Sequence, residues 1–306
     1  MRMKGILFAA VSAVAFGLIP VLIKMDTALG LSMMSFLMYR SIIGCVICAG
    51  ICLARGEKLR LSGRQTRDMA VACIFGSAAT SAILICALEL LSSGVATSLH
   101  YVYPIVIMCA GKLIFREVFS WMHVVALGLC VSAVSVIGLS NGVTGRISGL
   151  GVALALISGC TYGFYSVYVE RSTLRGISCY VLSCYSNLAL ALVSVAFGLV
   201  NHTLQFSIPM EAVPLLLISV LLYCIIGGPC YQLGIRYANA EITSLLSTLE
   251  PLTAAVFGVI MLKEQVSSWQ IVGITMIVAS VCLTVIGARK TVQQQSVEIH
   301  GAQSGT

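Results

Sequence analysis

Apolar residues fill this chain in blocks of about twenty, divided by brief polar interruptions, and most blocks are apolar on every side of a helix. At 1.5 Å per residue such a block covers the ~30 Å hydrocarbon core of a bilayer. A helix also satisfies its backbone groups internally, which lipid demands. The blocks predict ten spanning helices, at 3–23, 31–53, 68–90, 93–115, 119–140, 147–169, 178–200, 212–235, 240–262 and 267–288. The first follows Arg2 and Lys4 as a secretory signal would, but its apolar run is too long for one and is read as a helix. Connections are short, with no room for a separate soluble domain. The polar stretch 289–306 is expected to be a disordered cytoplasmic tail.

The pattern occurs twice. Glu241 to Leu262 carries Thr248-Leu249-Glu250-Pro251 at its middle, and Val95 to Phe115 carries Tyr103-Pro104 at the matching place. Arg116-Glu117 closes the earlier block as Lys263-Glu264 closes the later one. Phe16-Gly17 in the first block matches Tyr162-Gly163 in the sixth, and Met38-Tyr39-Arg40-Ser41 matches Cys184-Tyr185-Ser186-Asn187. Thr80-Ser81-Ala82 falls opposite Gly227-Gly228-Pro229. The expected fold is therefore an all-α integral membrane protein made of two five-helix repeats, 3–140 and 147–288. Five is odd, so the second copy must enter the membrane from the other side. Inverted repeats of this kind are a mark of secondary transporters, whose site lies near the midplane between the halves.

Composition agrees with a membrane solvent. Hydrophobic residues make up 59% of the chain and charged ones 9%, against about 25% charged in soluble domains, and the mean hydropathy is +1.02. Most of the basic residues, including Arg2, Lys4, Arg55, Lys58, Arg60, Arg64, Arg67, Arg171, Arg175 and Arg236, fall on one set of flanks. The opposite flanks hold Lys24, Arg146 and Lys263. This bias predicts both termini in the cytoplasm, and it accounts for the net charge of +7 without any nucleic-acid surface. Cys45, Cys48 and Cys52 have spacing that suggests redox or zinc chemistry, but they fall inside an apolar span and are read as packing. Asn201-His202-Thr203, a glycosylation-like triplet beside the membrane, is read as chance.

Candidate chemistry concentrates on the two central helices. Glu250 lies near the bilayer midplane, where a carboxylate costs several kcal/mol unless paired, neutralised or hydrated. Thr243, Ser247 and Glu250 recur on one helical face, and His100 and Tyr103 occupy the equivalent face of the earlier helix. On a continuous helix Tyr101 and Tyr103 cannot share a face, so Tyr103, matched to Glu250, is taken for the cavity. Tyr162 points either to that cavity or to core, while Tyr168 reads as an interfacial belt residue. Arg40 lies at nearly the depth of Glu250. Either the two pair, or each meets water or substrate, in which case Glu250 can exchange a coupling proton. Pro104 and Pro251 each remove a backbone donor, and Gly227-Gly228-Pro229 is a third expected helix break.

These motifs, in this order, resemble the EamA type of the drug/metabolite transporter superfamily. The residues that carry the likeness are the aromatic-Gly pair, Arg40 early in the second span, Tyr103-Pro104 with Arg116-Glu117, and Leu249-Glu250-Pro251 with Glu264. It covers roughly residues 5 to 287. The resemblance implies an alternating-access carrier in the cytoplasmic membrane that exports amino acids or related small metabolites and uses no cofactor. Ser186 where Arg40 stands, and Tyr103 where Glu250 stands, make the halves chemically unequal. The competing reading is a membrane protein without transport activity, or a membrane enzyme. The chain lacks His-Glu-x-x-His and a phosphate-binding loop, and Asp26 and Asp68 are expected outside the membrane, which removes an aspartyl dyad. Solute identity, direction, coupling ion and oligomeric state are not written in the sequence.

Overall fold

Small polar residues set where the helices begin. Ser32 starts α2 (Met33–Ala54) by accepting a bond from the Ser35 backbone N–H, and Ser148 does the same for α7 (Gly149–Arg171) at Gly151. Ser62 and Gln65 form a reciprocal capping box at the start of α3 (Gly63–Ala70). The computed structural model describes residues 2–91, 96, 99–114, 121–140, 148–263, 268–269, 271–284 and 286–287. Arg116, Glu117, Arg146, Glu264 and the expected tail 289–306 lie outside the described residues. The other helices are α1 (Arg2–Ala28), α4 (Ala79–Leu90), α5 (Tyr103–Leu113), α6 (Trp121–Ser140), α8 (Cys179–Val200), α9 (Val213–Val220), α10 (Gly228–Tyr237), α11 (Ala240–Leu246), α12 (Leu249–Leu262) and α13 (Ile271–Thr284).

Among the described residues there is no strand. Six helical stretches are long and apolar enough to cross a membrane, and four shorter apolar helices accompany them. Their outward faces carry bare apolar side chains: Leu113 is 79% exposed and Val46 66%. Such a surface is stable in lipid, where an apolar patch of this extent has a solvent to match.

Packing is reciprocal between the halves. α1 lies against α10 and α12, whereas α7 lies against α4 and α5, and α2 runs along α8. Small residues permit the close crossings. A Cβ on Gly17 would meet the Glu250 carbonyl at 2.5 Å. On α7, Gly159 and Gly163 face the His100 and Tyr103 carbonyls, at 2.5 and 3.3 Å from a Cβ built there. A small residue every fourth position brings two backbones together, as in other membrane helices.

Both long third-helix stretches contain a π-helical segment, at Val71–Ala78 and at Leu221–Gly227. The second ends at Gly228-Pro229, one of the breaks expected from sequence. The first has no proline and was not expected. There the extra residue per turn lets Gly76 accept the side of Tyr165, whose Cβ would lie 2.8 Å from a glycine Cβ. Asp26 and Asp68, expected outside the membrane, are 0% and 4% exposed and sit within helices α1 and α3.

Candidate functional site

Both central helices are interrupted just before their proline. A turn at Tyr101-Val102 precedes α5, with Pro104 at its second position, and a turn at Ser247-Thr248 separates α11 from α12, with Pro251 at its third. A proline ring cannot accept the carbonyl four residues back, so the preceding turn tightens. Here the Glu250 N–H donates to the Ser247 carbonyl at 2.9 Å.

The first interruption overturns the expectation that Tyr101 and Tyr103 diverge. Their rings lie 5.5 Å apart, because the turn rotates Tyr101 back toward the face of Tyr103. Tyr101 donates its hydroxyl to Glu250 Oε2 at 2.9 Å. Glu250 is half-buried and stands in the first turn of α12, where the helix dipole favours a negative charge. A phenol and a helix start thus compensate the carboxylate from two sides. Arg40 does not pair with it. Ion pairs do form elsewhere among the described residues, at Arg55–Glu57, Arg67–Asp68 and His123–Glu241.

An internal cavity of about 50 Å³ lies between α1, the first π segment, α7, α8, the second π segment and α10. Its walls are Phe16, Tyr162, Tyr165, Tyr223 and Tyr231, and its polar lining is Ser77, Ser183, Ser186, Asn187 and Gln232, with Leu190 and Gly228 completing it. That exceeds the ~10–15 Å³ that a single water needs, so water fits there. Small-molecule sites run to ~300–1,000 Å³, so an organic solute enters only if the walls part. All of the lining is uncharged. Gln232 is 8% exposed, donates Nε2 to Ser183 Oγ at 3.3 Å, and leaves Oε1 without a partner.

Two opposite charges stand behind the aromatic walls, each against a different ring. Arg40 lies with its guanidinium 3.8 Å from the centre of the Tyr223 ring, a cation–π contact. Tyr162 packs edge-on against Tyr103 at 4.8 Å, and Tyr103 packs on Tyr101, the partner of Glu250. His100 joins the same group, 5.7 Å from Tyr162, with Nδ1 2.9 Å from Ser158 Oγ. The Ser158 hydroxyl is spent on the Ala155 carbonyl at 2.7 Å, so Nδ1 is the ring's donor.

Of the residues singled out from sequence, Tyr162 and Gly228 line the cavity, while Glu250, Tyr103 and His100 connect to it through rings. Gly227 backs it, since a Cβ there would meet the Phe16 ring at 2.5 Å. Thr243 stands apart, fully buried and donating to the Asn239 carbonyl at 2.7 Å, whereas Ser247, which donates to the Thr243 carbonyl at 3.0 Å, has its hydroxyl beside both Glu250 and Tyr103. Tyr168, expected in an interfacial belt, donates to buried Asp68 at 3.2 Å, which also accepts from Thr173 Oγ1 at 2.8 Å. Sequence reading passed over Gln232 and Asn187 as site residues. Both are amides inside predicted spans, and that alone was a usable signal.

The model of the EamA-like transporter family matches residues 3–139 and again 149–286. The uncharacterized transporter sll1319 of Synechocystis sp. is 21% identical over 202 residues, 66% of this chain and 61% of that protein. The matched region thus spans about three fifths of that relative. A crystal structure covering 93% of this chain and 99% of its own superposes with a TM-score of 0.78 at 17% identity, a likeness of fold.

Proposed function

Because the chain belongs to the EamA-like transporter family, we propose that it is a secondary carrier that moves small polar or amphipathic organic solutes by alternating access. In this reading ten helices form two inverted five-helix repeats in the cytoplasmic membrane, with both termini inside. Amino acids or related metabolites are the expected cargo and export the expected direction. The single observation that carries the proposal is the cavity between the halves: aromatic walls, an amide and hydroxyl lining, and opposite charges held behind the walls.

Alternating access needs elements that bend without breaking. The interrupted central helices and the two π segments supply them. Arg55, Lys58, Arg60, Arg64 and Arg67 all lie exposed on the connection between α2 and the first π segment, which supports a cytoplasmic position for it. Glu250 is the candidate for a coupling proton, as a carboxylate within an apolar helix with a phenol for its partner. Flux of a panel of radiolabelled amino acids in proteoliposomes, with and without a pH gradient, tests the reading. Absence of flux for every member of a broad metabolite panel would favour a membrane protein that does not transport.

A further inference from the structure

Where α2 runs along α8, a thiol from each half of the chain meets the other. Cys45 Sγ and Cys184 Sγ lie 3.8 Å apart, although 139 residues separate them in sequence. Cys184 Sγ also approaches the Cys45 carbonyl at 3.7 Å. Two neighbouring thiols behave differently. Cys48 directs its S–H at the Cys224 carbonyl at 3.5 Å, and Cys224 directs its own at Asn187 Oδ1 at 3.2 Å. Those two are ordinary buried fillers whose donors are already used. Cys45 and Cys184 are aimed at each other across the seam between the repeats.

We propose that Cys45 and Cys184 form a reversible disulfide that staples the two halves and arrests the carrier, with hydrogen peroxide as the oxidant. The Cys45 thiol reduces one peroxide to give a sulfenic acid and one water. The Cys184 sulfur then attacks the Cys45 sulfur, an S–S bond forms, and a second water leaves. Peroxide is reduced by two electrons and the thiol pair is oxidised by two. A disulfide bond is ~2.0 Å long, so each sulfur needs to move by about 1 Å, within reach of a small side-chain rotation. Cys45 is half-buried, not sealed in the core, so a small uncharged oxidant has a route to it.

The position of the pair explains the arrest, a step that rests on the carrier reading. Ser183, Ser186 and Asn187 flank Cys184 on α8 and line the cavity. Gly44, beside Cys45, is where α2 touches the other half, since a Cβ there would strike Cys224 Sγ and lie 3.3 Å from Asn187 Oδ1. Linking the two thiols therefore ties the polar wall of the cavity to α2. Parting of the walls, which any organic solute requires, is then resisted at the cavity's own level.

The test uses full-length protein in proteoliposomes, with exposed Cys109, Cys160 and Cys282 replaced by Ser to prevent cross-linking between molecules. Hydrogen peroxide should yield one linked peptide pair, Cys45 with Cys184, at a mass lower by two hydrogens. Amino-acid flux should fall at least fivefold and recover on reduction, while Cys45→Ser and Cys184→Ser proteins should keep their flux in peroxide. Hydrogen exchange along α8 should slow on linkage, a readout independent of any cargo. No Cys45–Cys184 link under peroxide would overturn the proposal. A link without slower exchange along α8, or without loss of flux in an active preparation, would overturn the arrest. A reduced protein inactive toward every solute would count against the carrier reading instead, with the link and the exchange still deciding the staple.

Discussion

The two interrupted helices use one device for different chemistry. In each, a proline follows a tight turn, and the backbone there is crossed closely by a helix from the other half, at Gly17 for the second break and at Gly159 and Gly163 for the first. The first break presents three aromatic rings, His100, Tyr101 and Tyr103, and no charge. The second presents Glu250. Neither break is complete alone, because the hydroxyl of Tyr101 is what Glu250 accepts from. The difference teaches that one backbone geometry can occur twice while the donor stands at one break and its acceptor at the other.

Removing the acceptor tests this most severely. Glu250→Gln keeps the shape and a hydrogen bond but loses the titratable group. Flux should drop at least tenfold with its pH dependence gone, while gel filtration and helicity remain those of the parent. Normal flux at every pH would end the coupling role. A bulky side chain at Gly17, as in Gly17→Val, should cost ~1–3 kcal/mol of stability through overpacking against the Glu250 carbonyl, and Gly163→Val should do the same at Tyr103. Thermal unfolding in detergent would read both. Unequal losses would show that the two crossings are not equivalent.

Tyrosine replacements sharpen the comparison further. Tyr101→Phe removes a hydrogen bond to a carboxylate, worth ~1.5–3 kcal/mol if the group is charged, and flux is expected to fall about tenfold. Tyr103→Phe deletes a buried hydroxyl that makes no well-formed hydrogen bond, its neighbour Ser247 already donating to the Thr243 carbonyl, so flux and stability should change little. The reverse order of effects would hand the role to Tyr103. The smallest effect is expected of Arg40→Gln added to Glu250→Gln. The two groups form no ion pair, so the double variant should recover none of the lost flux. Recovery of flux would mean that the charges meet at some stage of the cycle.

The apolar blocks by themselves determined a helical membrane protein, because a chain with 9% charged residues and twenty-residue apolar runs has no soluble alternative. The sequence also marked Glu250, Pro104 and Pro251, since a carboxylate or an imino acid inside such a run is costly wherever the chain goes. Only the tertiary structure decided what those residues meet. Helical periodicity assumes an unbroken helix, and the turn at Tyr101-Val102 resets the phase, so Tyr101 and not Tyr103 reaches the carboxylate. Depth along a helix says nothing of rotation about it: Arg40, expected from sequence at the level of Glu250, lies on the Tyr223 ring, while Glu250 accepts from Tyr101. The uncharged lining of Ser183, Asn187 and Gln232 comes from two helices, α8 and α10, that converge in space alone. Each amide stood out singly as a polar group inside an apolar span, but only packing brings Asn187 and Gln232 to one cavity.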